Sequence, residues 1–327
     1  MNRSAAGVPD TPRLEAALGD VLSDSDQRRV EVDVLAREAN VYASTFPSEI
    51  VTCRVGDRPP MTIFCKYGPD EASWDDYHFL GGHRRGVHHE SAVYREILGP
   101  LGASSPHYFG AYETAGWTWL ILEHLADAHY VKETASAMSL AARWIGHFHA
   151  RSEDVLAQRP LVWLRRYDTD YYQGWIEAAA SLVSANSGEH SWIRDLRARA
   201  TAFVDLLEAA PGVIVHGEFY PSNVLYRDSR VCPVDWESAA IGPGELDVVT
   251  LIEGWDERDV CTYLGDYATA RWPAGAPSIW NDQLLAARIL LQLRFLGDRG
   301  TWDNGGTWYT ERLDVLERES RRLGLLA

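Results

Sequence analysis

The densest run of chemically capable side chains lies between His216 and Glu237. It reads VIVHGEFYPSNVLY from Val213 to Tyr226 and VCPVDWE from Val231 to Glu237. Each polar residue follows a short apolar stretch, so strand ends would carry Glu218, Asn223 and Asp235 to the lip of a cleft. A carboxylate at 218 can orient or deprotonate a hydroxyl, and the amide at 223 and carboxylate at 235 offer oxygen donors to a hard divalent cation. Together these are the polar groups that metal-assisted phosphoryl transfer requires. The plainer reading makes His216, Glu218 and Asn223 turn caps and Asp235 a strand end. Each residue alone would fit that reading, and the joint spacing favours the chemical one.

The elements needed to position such a site are legible in the apolar periodicity. Residues 29–34 alternate, with Val30, Val32 and Val34 on one face, and β-rich runs follow at Glu49 to Val55 and Met61 to Lys66. Turn-like links, Ser44 to Ser48 and Gly56 to Pro60, make these a meander of three antiparallel strands. Glu90 to Leu98 carries Val93, Tyr94, Ile97 and Leu98 at helical spacing, and His107 to Tyr112 and Trp117 to Leu122 read as two more strands. Beyond Asp127 the pattern turns to long helices around Glu133 to Ala150, Asp170 to Ser184 and Trp192 to Ala209. A small β island at 213–215, 224–226 and 231–234 interrupts them. The expected fold is α+β and bilobal: residues 1–125 form a five-stranded antiparallel sheet with one main helix, and 126–327 form a mainly helical lobe that holds the polar segment.

The His216-Gly217 pair and the spacing from Glu218 to Asn223 and on to Asp235 resemble the aminoglycoside phosphotransferase and choline kinase family, small-molecule kinases of protein-kinase-like fold. The resemblance implies that Glu218 stands at the catalytic-base position, that Asn223 and Asp235 hold Mg²⁺, and that His216 braces the loop. It also implies that Lys66, at the end of the third strand, grips the α- and β-phosphates of ATP or GTP with Glu90 as its partner. The phosphate-covering loop falls at Ser44 and Thr45, with small hydroxyl residues in place of the usual glycines. The stretch Leu120 to Leu125 resembles the hinge, where backbone groups near Glu123 to Leu125 would meet the purine edge. Asp247, after the run IGPGEL, is expected to cap or brace a loop. The family carries Asp where this chain has Glu218, and the extra methylene moves the carboxylate by ~1.5 Å.

Composition narrows the partners. With 31 Lys and Arg against 47 Asp and Glu the net charge is -16, which opposes nucleic acid and favours a cationic or neutral acceptor. Hydrophobic residues make up 46%, enough to bury a core, and the four cysteines show no CxxC pair, so a reducing compartment is expected. Without a signal-like or membrane-length apolar run, the chain reads as cytoplasmic, with no membrane partner. The aromatic and acidic cluster of Tyr167, Asp168, Asp170, Tyr171, Tyr172 and Trp175 either lines the acceptor pocket or, more simply, packs a helix face. His147 and His149 lie two apart, off any common helix face, and His83, His88 and His89 read as decoration of a loop. The expected partners are therefore a nucleoside triphosphate and a small hydroxylated acceptor. Two other readings keep the same residues: a kinase-like protein of weak or no activity that binds nucleotide or ligand, and a kinase-fold enzyme that transfers a different group.

Overall fold

The computed structural model describes residues 7–23, 30–41, 46–69, 83–114, 116–186, 192–298 and 307–327. The chain divides into two compact units. The first draws on Met1–Tyr77, Arg84–His129 and Leu225–Glu237, and the second on His78–His83, Tyr130–Val224 and Ser238–Ala327. The segment bearing Asp235 thus belongs with the strand-rich unit although helices flank it in sequence.

The first unit opens with helix α1 (Thr11–Val21), whose entry is set by the Asp10 side chain accepting the Arg13 N–H and by Pro12 in the first turn. Strands β1 (Val32–Ala39), β2 (Ser48–Val55) and β3 (Met61–Pro69) follow. Helix α2 (Val87–Val93) runs into a π-helical turn at Tyr94–Leu98 and a last turn α3 (Gly99–Leu101), and β4 (Tyr108–Thr114) and β5 (Trp117–Glu123) complete the sheet. The sheet is wholly antiparallel in the order β1-β2-β3-β5-β4. The five expected strands are all present. Leu14, Ala17 and Leu18 of α1 pack onto one face with Val51, Cys53, Ile63, Cys65 and Tyr67. Strand alternation then turns Lys66 to the opposite face. That face meets α2: a Cβ on Gly68 would lie 2.5 Å from Cγ2 of Val87.

Helix α1 had no counterpart in the sequence reading, although Leu14, Ala17, Leu18 and Val21 recur at helical spacing behind a capping Asp-Thr-Pro. The helix expected over 90–98 begins three residues earlier and changes to the wider π turn at Tyr94, a local irregularity that apolar periodicity does not register.

After the short strand β6 (His129–Tyr130), the second unit is built on α4 (Ala135–Gln158), capped by the Thr134 hydroxyl accepting the Ala137 N–H at 3.2 Å. Then come α5 (Thr169–Asn186), α6 (Trp192–Ala198) and α7 (Ala200–Glu208). The last two replace the single helix expected over 192–209, the break falling at Arg199 with φ -106° and ψ 11°. Strand β7 (Gly212–Val215) pairs antiparallel with β10 (Ala240–Pro243), a Gly/Pro-containing segment for which the sequence suggested no strand. Between them in sequence, the hairpin β8 (Val224–Arg227) and β9 (Arg230–Pro233), which from Leu225 on belongs to the first unit, turns through Asp228 and Ser229, both at positive φ (51° and 62°), as the tight two-residue hairpin demands. Helices α8 (Glu245–Ile252), α9 (Glu257–Arg271), α10 (Trp280–Gly297) and α11 (Thr307–Arg322) complete the chain. Among the described residues, no helix is long and apolar enough to cross a membrane.

Candidate active site

In the first unit, three carboxylates converge on one buried ammonium. Lys66 Nζ lies 2.7 Å from Glu90 Oε2, 2.6 Å from Asp235 Oδ1 and 3.5 Å from Glu237 Oε2. Burial alone would drive off the Lys66 proton, but the fields of Asp235, Glu90 and Glu237 outweigh it and hold the pKa well above the usual lysine value. Glu90 sits in the first turn of α2, where the helix N-terminus favours a carboxylate. Its other oxygen accepts the Trp236 N–H at 3.2 Å.

That last bond helps to place Asp235. The residue stands between the end of β9 and a 3-10 turn at Trp236–Ser238, with φ at 67°, a left-handed conformation that few side chains accept and that clusters at functional sites. The neighbouring Trp236 ring is fully buried and donates its indole N–H to the Pro233 carbonyl at 3.2 Å, pinning the turn. The Asp235 side chain remains about a third exposed (32%), the only open carboxylate of the three around Lys66. Glu237, unassigned in the sequence reading, is fully buried, faces Arg84 Nε at 3.5 Å and accepts the Arg85 N–H through its backbone carbonyl at 2.8 Å. Its signal was in plain view two residues after Asp235, but nothing local says whether such a residue points inward.

Of the remaining nucleotide-site candidates, Ser44 and Thr45 lie outside the described residues. Glu123 closes β5, with Oε1 2.7 Å from the Arg227 guanidinium and Oε2 accepting the His107 N–H at 3.1 Å. Burial raises its pKa, yet the Arg227 and His107 bonds overcome that and leave it below the ordinary carboxylate value. Leu125 is buried, and its carbonyl accepts the Ala128 N–H at 3.3 Å.

In the second unit, His216 to Asn223 forms a tightly bonded loop leaving β7. Asp247, in the first turn of α8, accepts the N–H groups of His216 (2.7 Å) and Gly217 (2.9 Å) and meets His149 Nε2 at 3.2 Å. This is the brace expected of it. The Tyr267 hydroxyl lies 3.0 Å from His149 Nδ1, so a neutral imidazole with its proton on Nε2 satisfies both partners. Gly217 is required: its φ is 85°, and a Cβ there would stand 2.4 Å from the Ser238 carbonyl oxygen. The His216 ring is buried and its Nδ1 accepts the Glu218 N–H at 3.3 Å. Asn223 donates its side-chain N–H to the Glu218 carbonyl at 3.0 Å, closing the loop on itself.

Two residues outside the sequence-derived set complete these surroundings. His83, read as loop decoration, is 4% exposed and sits among Tyr167, Tyr171, Trp175 and Arg294, with Nε2 3.7 Å from Glu218 Oε1. Arg294 of α10 donates to the Gly217 carbonyl at 3.0 Å. A lone His before a helix and an Arg in an apolar helix carry no local signal of joining this loop, whose Gly217 lies 77 residues from Arg294 in sequence. Tyr167, Tyr171, Tyr172 and Trp175 are all buried, which supports the packing reading of that cluster.

A sequence profile described as the phosphotransferase enzyme family matches residues 80–277. No curated protein matches the chain. Among solved structures, LicA in complex with AMP superposes with a TM-score of 0.60 at 12% identity over 97% of this chain and 99% of that one. The choline kinase LicA from Streptococcus pneumoniae gives 0.58 at 13% identity over 89% and 94%. The aminoglycoside phosphotransferase from Alicyclobacillus acidocaldarius gives 0.56 at 14% identity over 98% and 94%. At such identities the likeness is one of fold, and it bears out the α+β kinase-like architecture expected from the sequence.

Proposed function

Since the chain belongs to the phosphotransferase enzyme family, and is thus an enzyme that phosphorylates alcohol groups, we propose that it transfers the γ-phosphoryl group of ATP or GTP to a small acceptor with Mg²⁺ assistance. The observation that carries this reading is the Lys66 cluster. Residues 24 and 169 positions away in sequence deliver Glu90 and Asp235 to one ammonium, which is the arrangement a phosphate-gripping lysine needs. Lys66 holds the phosphates, and Glu90 keeps it charged and aimed.

The donors present suit Mg²⁺. Asp235 commits Oδ1 to Lys66 and keeps its second oxygen, while Asn223 commits its amide nitrogen to the Glu218 carbonyl and so offers its oxygen. No group of three or more His, Cys, Asp and Glu placed to hold a metal ion by itself occurs among the described residues, and a site of few protein oxygens completed by phosphate and water is the usual preference of this ion. When bound, Mg²⁺ neutralises charge on the phosphate oxygens. Glu218 receives the acceptor hydroxyl proton as the hydroxyl oxygen bonds to the γ-phosphorus. The bond from that phosphorus to the β–γ bridging oxygen breaks, and the nucleoside diphosphate departs.

For the acceptor we infer an amine-bearing or sugar-like alcohol, such as an aminoglycoside-like antibiotic, an amino sugar or a natural-product intermediate. The net charge of -16 supports a cationic or neutral molecule, and the structural neighbours include a choline kinase and an aminoglycoside phosphotransferase. The four free cysteines, three of them buried, support a cytoplasmic setting. The test is diphosphate release and phosphorylated product, followed by mass spectrometry across a panel of hydroxylated amines and sugars, for wild type, Asp235→Asn and Glu218→Gln. Wild type should form product, and each variant should lose on the order of 10²-fold in rate. Equal product from all three proteins overturns the mechanism, and a wild type that binds Mg-ATP and Mg-GTP without turnover favours the binding-protein reading instead.

A further inference from the structure

Glu218 differs from the family's aspartate by one more rotatable bond, so its carboxylate needs an additional constraint to stay aimed. Within the second unit the loop that carries it is held by Arg294. The Arg294 side chain is 5% exposed, and its Nη2 donates both to the Gly217 carbonyl at 3.0 Å and to His83 Nε2 at 2.5 Å. A guanidinium has donors only, so His83 Nε2 must accept. The imidazole proton then resides on Nδ1, which faces the hydroxyls of Tyr167 and Tyr171, each at 3.1 Å. Tyr167 in turn donates to the Ser238 carbonyl at 2.7 Å.

This chain of donors fixes the charge of the site. His83, held neutral by Arg294, does not neutralise Glu218 despite the 3.7 Å separation of Nε2 and Oε1. Glu218 is itself only 6% exposed, and Arg294 reaches it through the Gly217 carbonyl and through His83. Burial opposes the Arg294 charge, and its surroundings, Tyr171, Tyr220, Tyr167 and last Glu218, outweigh that effect and hold its pKa above the ordinary arginine value. Burying a guanidinium merely to fill a helix face would be costly compared with an apolar side chain of similar volume, so its place beside a functional loop needs another explanation.

We propose that Arg294 is a positioning residue for phosphoryl transfer: it clamps the Gly217 carbonyl and fixes His83 beside the Glu218 carboxylate, and thereby holds the longer glutamate side chain toward the acceptor hydroxyl. His83, Tyr167 and Tyr171 keep the guanidinium in plane for that task. The inference rests on the reading of Glu218 as the group that faces the acceptor.

The test compares Arg294→Met, Arg294→Lys, His83→Gln and Glu218→Gln with wild type. Melting temperature, Mg-ATP affinity by calorimetry and the rate of phosphoryl transfer from Mg-ATP, to water and to the amine and sugar panel, are read for each. Arg294→Met should lose at least about tenfold in rate with Mg-ATP affinity within about twofold, and Arg294→Lys, which keeps the cation but not the fork, should recover part of it. Hydrogen exchange should rise at 216–220 in Arg294→Met and less in Arg294→Lys. Should the methionine variant not fold, the lysine and His83→Gln variants carry the same comparison of rate against affinity. A rate within about twofold of wild type in the folded Arg294 variants, or losses that track Mg-ATP affinity or melting temperature instead of loop exchange, overturns the proposal. If Glu218→Gln transfers as fast as wild type, the reading of Glu218 fails and this inference with it. If Glu218→Gln is slow while the Arg294 variants are fast, only the positioning role falls.

Discussion

His149 shows how one buried side chain ties the candidate loop to the stability of the whole second unit. Burial disfavours its imidazolium strongly enough to overcome the attraction of Asp247, and its pKa lies below the ordinary value. In the unfolded chain the same ring titrates near ~6.5. Between the lowered native pKa and that value the unfolded state binds the extra proton, so stability is fully present above about pH 6.5 and declines as pH falls below it. The melting temperature should therefore drop on acidification from neutral pH, and His149→Gln, which removes the titration, should show a flatter profile by calorimetry. A variant profile parallel to wild type would remove His149 from the account. At this scale the sequence was informative wherever a residue's role follows from its own motif: Asp247 as a brace, Gly217 at a tight turn. It was silent on Arg294, and it placed His83 in a loop's decoration because the partners that bury it come from α5 and α10.

Helices and strands follow the same division. The five sheet strands are readable because alternate apolar residues must face one core, and Lys66 reaches the α2 side because it lies one residue out of phase with Cys65 and Tyr67. Features that depend on neighbours were not readable: the π turn after α2, the break at Arg199, and β10, a Gly/Pro-rich stretch that becomes a strand through pairing with β7. Close packing of α4 on α9 is another such feature. A Cβ on Gly146 would lie 2.7 Å from the Tyr267 carbonyl oxygen and 2.9 Å from the Ala270 Cβ, contacts that no real Cβ tolerates. Gly146→Val should thus force the helices apart and cost about 1–3 kcal/mol, measurable as a lowered urea midpoint. Because α9 carries Tyr267, which hydrogen-bonds His149, the same variant should also slow turnover. An unchanged midpoint would mean the two helices pack less closely than described.

For the molecule as a whole, the consequence of the proposed nucleotide site is thermodynamic. A ligand that binds only the folded chain stabilises it by about 2.7 kcal/mol at a hundredfold excess over Kd. Mg-ATP or Mg-GTP should raise the melting temperature, a chelator should remove most of the shift, and Asp235→Asn should show little of it. A shift equally large with chelator present would detach Mg²⁺ from the site. What the sequence by itself determined was the family, the α+β order of elements and the residues of the polar segment, since each is written in local pattern and spacing. What only the tertiary structure decided was which charges share a space. Three carboxylates gather on Lys66, and a buried arginine and a neutral histidine flank Glu218. The physical reason is that electrostatics and burial depend on distance through space, which chain spacing does not encode beyond a few residues.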